Sequence, residues 1–409
     1  HRSEEELSVR VVRSDPSSSL PCTLRLAAVA CLALLLVVAF PACTTRGSRS
    51  VTVTDSAGVR ITLSAETSRT YAAVDTPAVL SLGGADATGP TQFGNIRGVW
   101  VDPRGNVWVA DGQSDEIRIF HADGSLWKAA GRRGEGPGEF MSVRMLGAFR
   151  GDSVAVWDDA QGRLTVLDSE GNVARIVTAH TGDEYPPNGF HVFADGTVLA
   201  RIRPVLPAGT LEPGSIIPDT AIFARVDYSD MRTEPEGGAP APKWLWTGHS
   251  QIAIPFTVNP GFDVSGDEVH ATSGPFFRIR VFRDGRLVES YGLDRDPAPV
   301  TAREEKEYTD MFANGPPDAP YRQEYLSVLR DPHVPRVLPA YRSLVTADDG
   351  NVWVERYNFG SYDVYGPDRA FLGRAQVPVQ LTQVVNSTLV GVWRDAMNVE
   401  YVRLYRYRK

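Results

Sequence analysis

The chain has 409 residues, 42% of them hydrophobic, with 37 Gly and 29 Pro. That size admits two or three ordinary domains or one large closed β-architecture, and the apolar content excludes wholesale disorder. The formal charge of −8, from 42 Lys and Arg against 50 Asp and Glu, excludes a dedicated nucleic-acid binder, which needs a net basic face.

In chain order, residues 1–43 read as an export segment. Leu26 to Phe40 is a run of fifteen uncharged residues directly after Arg25. A membrane span needs roughly 20, whereas the apolar region of a signal peptide is about this short. The run ends Phe40-Pro41-Ala42-Cys43 before the polar Thr44-Thr45-Arg46. This resembles the lipobox of bacterial lipoproteins: Ala42 and Cys43 match it, while Phe40 and Pro41 depart from it. Cys43 is therefore the expected lipidation site, with an ordinary signal peptide or an uncleaved anchor as the alternatives. The expectation is an exported protein of the periplasm or outer membrane, touching the membrane only through this lipid or anchor. All three Cys (Cys22, Cys31, Cys43) lie here, so the rest of the chain carries no disulfide framework and no Cys-based zinc site.

Residues 44–77 read as a linker and a β-hairpin, Val51 to Asp55 against Val59 to Leu63 about Ser56-Ala57-Gly58, packed separately on a rim. Residues 78–409 are organised by an internal repeat. Gly89-Pro90-Thr91-Gln92-Phe93 returns as Gly136-Pro137-Gly138-Glu139-Phe140, an offset of 47, and Gly84 and Gly131 share that register. Gly105-Asn106-Val107-Trp108-Val109-Ala110-Asp111 has counterparts beginning at Asp152 and Asp349, and weaker ones at Asp195, Gly266 and Asn386. Each copy reads as four short strands with alternating apolar residues, joined by Asp-Gly or Gly-Asn turns that supply the positive φ of tight hairpins. Four antiparallel strands per repeat of this length describe a propeller blade.

The predicted fold is all-β: a six-bladed β-propeller whose innermost strands start near Arg97, Arg144, Gly189, Gly261, Arg342 and Leu381. The last copy has three strands, ending in Glu400 to Tyr407, and Ala78 to Gly83 has the register of an outer strand. The N-terminal strand is thus expected to close the last blade, which leaves no exposed sheet edge. Two insertions interrupt the repeat. Pro204 to Pro242 is Pro/Gly-rich and reads as a long excursion containing one strand, Ile222 to Tyr228. The second, about 300–335, is helical. It opens on the capping box Thr301-Ala302-Arg303-Glu304, is broken at Pro316-Pro317, and resumes from Pro320 to Arg330. It could be an edge cover or a lid over a ligand. Trp100, Trp108, Trp157 and Trp353 read as packing aromatics.

With these motifs in hand, Gly131-Arg-Arg-Gly-Glu-Gly-Pro-Gly-Glu-Phe140, Asp55-Ser-Ala-Gly-Val-Arg-Ile61 and Val399-Glu-Tyr-Val-Arg-Leu404 resemble bacterial six-bladed β-propeller proteins of the NHL-like type, over residues 51–409. The resemblance implies an exported propeller, often a lipoprotein. It supplies no reaction.

The glycine string is no phosphate loop, because it lacks a Lys-Ser/Thr ending and leads into a strand, not a helix N-terminus. The seven His form no H-x-x-x-H pair, and no G-x-S-x-G nucleophile elbow occurs. No catalytic residue, metal ligand or cofactor is assigned. A lactonase-like hydrolase or lyase would use carboxylate and Asn ligands from the innermost strands, for which Asp263 and Asn259 are candidates. The constellation that stands out is arginine. Aligning the repeats puts Arg97, Arg144 and Arg342 at one position at the start of the innermost strands, with Asn188 there in the third copy and His191 nearby. Such a ring would bind an anionic small molecule or an acidic side chain of an envelope protein. The bland alternative is that each Arg pairs with an Asp and merely clamps the ring. A monomer is expected.

Overall fold

A computed structural model describes residues 50–149, 152–178, 188–193, 195–202, 211–217, 220–228, 230, 232–257, 260–272, 274–313 and 320–409. The expected export segment, Cys43 included, lies outside the described residues.

The first repeat folds as Ile96–Val101, Val107–Asp111, Glu116–Phe120 and Leu126–Ala130, paired antiparallel in that order. Its turns are closed by carboxylates. Asp102 accepts the N–H groups of Arg104 (2.9 Å) and Asn106 (2.8 Å) with one oxygen, and the Asn106 amide (2.8 Å) and Trp108 indole (3.1 Å) with the other. Gly105 sits at φ +87°, which is why Gly occupies that turn. The second strand, expected to be half-buried, is buried at every position. It is covered on both sides: Val107 and Val109 pack with Val390, Val402 and Leu404 of the last repeat, while Trp108 and Ala110 pack with Phe140, Val154 and Val156 of the second. A sheet sandwiched between neighbours needs continuous apolar runs in its middle strands.

The same four-strand sheet recurs with innermost strands Val143–Phe149, Asn188–Val192, Phe262–Ser265 and Tyr341–Thr346. The last repeat contributes Gln380–Val385, Thr388–Arg394 and Glu400–Arg408, and Leu80–Gly83 lies antiparallel to the C-terminal strand, with Leu80 opposite Leu404. Each innermost strand touches the next: Ile96–Val101 meets Val143–Phe149 and Gln380–Val385, and the contacts continue through the other three around a central axis. The architecture is a β-propeller.

Three features differ from the sequence expectations. The Pro/Gly-rich segment is not one strand in a long loop. Thr220–Asp227 and Arg232–Pro240 are the third and fourth strands of the third sheet. A nine-residue strand reading RTEPEGGAP is tolerated because it is outermost, where a prolyl nitrogen without a proton costs no ladder bond. The early hairpin is not a separate rim element: Val59–Ser64 runs parallel to Arg286–Leu293 and extends the fourth sheet outward. The predicted linker contains a further strand, Thr70–Val74, parallel to Phe371–Gln376 and antiparallel to the C-terminal strand, so it staples the fifth sheet to the last.

Two helices, α1 (Ala302–Ala313) and α2 (Pro320–Val328), precede the fifth sheet. Thr301 and Glu304 form the capping box: the Thr301 N–H donates to the Glu304 carboxylate (3.0 Å) and the Thr301 hydroxyl oxygen accepts from Arg303 N–H (3.3 Å). The helices do not stand alone. Val328, Val334 and Leu338 share an apolar cluster with Ile252, Ile254 and Phe256 of the segment before the fourth sheet, where Trp244–Trp246 and Gln251–Ala253 form a small sheet with Ile216–Ile217.

A polar network anchors the N-terminal arm. Glu66 meets Arg295 (2.9 Å), Arg356 (2.8 Å) and Arg374. Arg356 and Arg374 also bind the fully buried Asp363 at 2.9 and 3.2 Å, and the Tyr341 hydroxyl donates to Asp363 at 3.2 Å.

Candidate functional site

One end of the propeller, where the channel mouth is expected, is built where innermost strands begin and where loops join the second strand of a sheet to its third. Carboxylates at the end of the second strand organise it. Asp111 accepts the N–H groups of Asn95 (3.2 Å) and Gln113 (3.1 Å), and Asp158 those of Met141 (2.7 Å), Ala160 (3.0 Å) and Gln161 (2.9 Å). Incoming and internal loops are thus tied to one strand end, and the repeated Asp of the sequence motif gains its physical reason.

Arg97 and Arg144 come together on this frame. Both donate to the same oxygen of Asp159, at 3.2 and 2.7 Å. The other Asp159 oxygen is buried and has no hydrogen-bond partner. Two guanidiniums thus share one carboxylate oxygen, and both remain about a third exposed. They reach Asp159 from different backbone positions, however. Arg97 is a bulge residue, skipped between the pairs Ile96–Asp111 and Gly98–Ala110, whereas Arg144 sits in the ladder opposite Trp157. Arg342 is a bulge residue like Arg97, between the pairs Tyr341–Arg356 and Ser343–Glu355. The equivalence of three arginines in the aligned sequence therefore holds for two. A bulge inserts one residue into a strand without changing the apolar pattern around it, so alignment alone misses the slip.

Arg342 is exposed and makes no hydrogen bond or ion pair among the described residues. Its charge acts on Glu355, which is buried, accepts from the Ser343 hydroxyl at 2.9 Å with one oxygen and has no partner for the other. Burial raises the Glu355 pKa, and the opposing pull of Ser343 and Arg342 does not offset it. Because the folded state holds this proton more tightly than the unfolded chain, Glu355 favours folding at low pH. That contribution fades as pH rises from about 4.5 through the higher folded value. Glu355→Gln is expected to flatten the fall of urea-unfolding stability across that window and to leave the protein more stable at pH 7. An unchanged pH profile would refute this reading.

His191 is brought into contact with Asp263 at 3.4 Å. Asp263 also accepts Thr346 N–H at 2.5 Å, so it bridges the third, fourth and fifth sheets. Asn188 opens its strand opposite Arg201, but its side chain lies outside the described residues, as does Asn259. No three His, Cys, Asp or Glu side chains converge as a metal site would need among the described residues. At the opposite end, a cavity of 440 Å³ lies between the first and last sheets, but its two arginines are engaged: Arg104 with Glu170 (2.7 Å) and Arg406 with the Asn386 carbonyl (2.8 Å). Sequence reasoning missed Asp159, the carboxylate that organises the arginine pair. The Asp158-Asp159 doublet, where the first repeat has Asp111-Gly112, was its signal.

No protein family's sequence pattern matches the chain, and no curated protein matches it. Solved structures resemble it in shape at low identity. A Bacteroides fragilis protein described as a candidate exported protein aligns at 12% identity with a TM-score of 0.46, covering 84% of this chain and 98% of its own. A DUF4221 member from Bacteroides vulgatus aligns at 11% and 0.49, covering 83% and 99%. Virginiamycin B lyase from Staphylococcus aureus aligns at 10% and 0.41, covering 80% and 98%. Among the described residues no helix is long and apolar enough to cross a membrane.

Proposed function

We propose that the chain is an exported binding module: a six-bladed, NHL-like propeller, closed by Leu80–Gly83 in its last blade, that recognises an anionic ligand at the channel mouth. The observation that carries this reading is the convergence of guanidiniums there. Arg97 and Arg144 share a single carboxylate, and Arg342 has no partner among the described residues. Convergent guanidiniums favour carboxylate or phosphate groups through paired N–H donors.

Thermal unfolding with citrate and with inorganic phosphate tests it. Ligand at about 100 times its dissociation constant stabilises by about 2.7 kcal/mol, enough for a clear rise in Tm. The rise should vanish when Arg97, Arg144 and Arg342 are changed together to Gln, and shrink with added NaCl. A rise of the same size in that variant would sink the assignment. Anchoring by lipid on Cys43 predicts that Cys43→Ser moves the protein from the membrane fraction to the soluble envelope fraction.

A further inference from the structure

We infer that Val51–Ser56, the outermost strand of the fourth sheet, is a docking edge for a second copy of this chain. The two copies pair these strands antiparallel about a two-fold axis at Val53. This is independent of the anion-binding reading above and differs from the monomer expected from the sequence.

An outermost strand offers unpaired N–H and C=O groups to any other strand. Proteins block such edges with basic residues or Pro, with bulges, or by keeping them short. The other outermost strands of this propeller are blocked in these ways. Leu126–Ala130 carries Lys128, Val173–Thr178 carries Arg175, and Arg232–Pro240 carries Pro235 and Pro240; each has a register shift against its neighbour. Leu80–Gly83 has only four residues, and Thr70–Val74 is paired on both sides. Val51–Ser56 has none of these devices. It reads Val-Thr-Val-Thr-Asp-Ser, rich in the β-branched residues that favour strands. It pairs with Val59–Ser64 at every residue without a shift, and all six of its residues are exposed, Val53 at 52%.

Register decides the partner. Ala57-Gly58 make a two-residue turn with φ +53° and +80°, and at the far end of the hairpin the Ser50 carbonyl accepts the Ala65 N–H at 2.9 Å. Ladder bonds alternate along a strand, so Ser50, Thr52, Thr54 and Ser56 aim their backbone groups at Val59–Ser64. Val51, Val53 and Asp55 aim theirs outward. A two-fold axis at Val53 sets Val53 against its own copy and Val51 against the copy's Asp55, so outward N–H groups meet outward C=O groups throughout. The same axis sets Thr52 against the copy's Thr54, a favourable cross-strand pair, and keeps Asp55 away from its own copy. Asp55 retains Arg60 opposite it within its own hairpin. A slip of one residue would set outward groups against inward ones. A foreign peptide would find only backbone, small side chains and a single charge to recognise. Pairing about a two-fold consumes both edges, so assembly stops at two copies with their six-stranded sheets joined. One pair of short strands buries less than the roughly 1,200 Å² of a stable interface, so the dimer dissociates on dilution.

Sedimentation equilibrium of the full chain from about 1 to about 300 μM should show monomer passing to dimer. Val53→Pro should abolish the dimer while the Val59–Ser64 ladder keeps its bonds, because the prolyl nitrogen faces outward. Val53→Lys, the second variant, should weaken association about tenfold or more. Circular dichroism and Tm confirm the fold of both. Register is read by oxidative cross-linking in a chain with Cys22, Cys31 and Cys43 changed to Ser. Residues facing each other in a bonded pair have Cα atoms about 5.5 Å apart, within disulfide reach. Val53→Cys should therefore form a covalent dimer, and Leu126→Cys, comparably exposed on the edge of the first sheet, should not. The inference is overturned if no dimer forms at about 300 μM, or if Val53→Cys cross-links no better than Leu126→Cys. Association that survives in both Val53→Pro and Val53→Lys also overturns it, and would place the contact elsewhere on the chain. A monomer whose Val51, Val53 and Asp55 amide protons resist exchange overturns it too, since the edge would then be filled from within the same chain.

Discussion

Replacing Asp363 by Ala is expected to destabilise the protein by about 3–5 kcal/mol, read as a fall in the urea midpoint and in Tm. Asp363 is fully buried and receives Arg356 (2.9 Å), Arg374 (3.2 Å) and the Tyr341 hydroxyl (3.2 Å). Removing it leaves the Arg356 guanidinium, itself mostly buried, facing only Glu66 at the surface. The cost is the desolvation of a charge that has lost its partner, not the loss of a favourable pair, and that distinction sets the size. Glu66→Gln is the control. Glu66 binds three arginines but is partly solvated, and partly exposed ion pairs contribute about 1 kcal/mol or less. Equal effects from the two variants would show that burial is not what makes Asp363 important.

Trp353→Ala is expected to cost about 3–5 kcal/mol through the cavity it leaves. The ring is fully buried, with Tyr71 and Tyr407 both at 5.3 Å centroid distance and Tyr362 at 6.5 Å, all edge-on. Such contacts add about 0.5–1.5 kcal/mol each beyond the buried area. Its indole N–H has no hydrogen-bond partner, so the loss is one of packing alone. Trp353→Phe should therefore recover most of the stability, in contrast with Asp363, where no apolar substitute would. Tyr71 and Tyr407 come from the two ends of the described chain. Trp353→Ala should also make the segment around Thr70–Val74 exchange its amide protons faster. Unchanged exchange there would mean that the staple is held by its backbone pairing alone.

The repeat was legible because turn chemistry is local. Asp102 closes its own hairpin within a few residues, and Gly105 must adopt positive φ, so both recur in sequence wherever the hairpin recurs. The innermost strands could be placed for the same reason. What could not be read depends on partners distant in sequence or on a slip in backbone pairing. Arg97 finds Asp159 in the next sheet, and the alignment that grouped Arg97, Arg144 and Arg342 carried no sign of the bulges that set Arg144 apart. The Pro-rich Arg232–Pro240 strand violates local strand preference and exists because an edge position forgives it. Thr70–Val74 has a short strand's composition, but only its two distant partners give it a sheet to join.

Pairing of Leu80–Gly83 with the C-terminal strand also bears on when the protein can finish folding. Ser81 meets Arg403, 322 positions further along the chain. A linear array of repeats can settle progressively as it leaves the ribosome, each unit stacking on the last. Here Leu80–Gly83, made early, must wait without a sheet to join until Glu400–Arg408 has been made. A chain truncated by even its last strand would carry every other sheet and still present an open seam to its surroundings. Such seams recruit other chains. The expected phenotype of C-terminal truncation is thus aggregation, not a smaller working propeller.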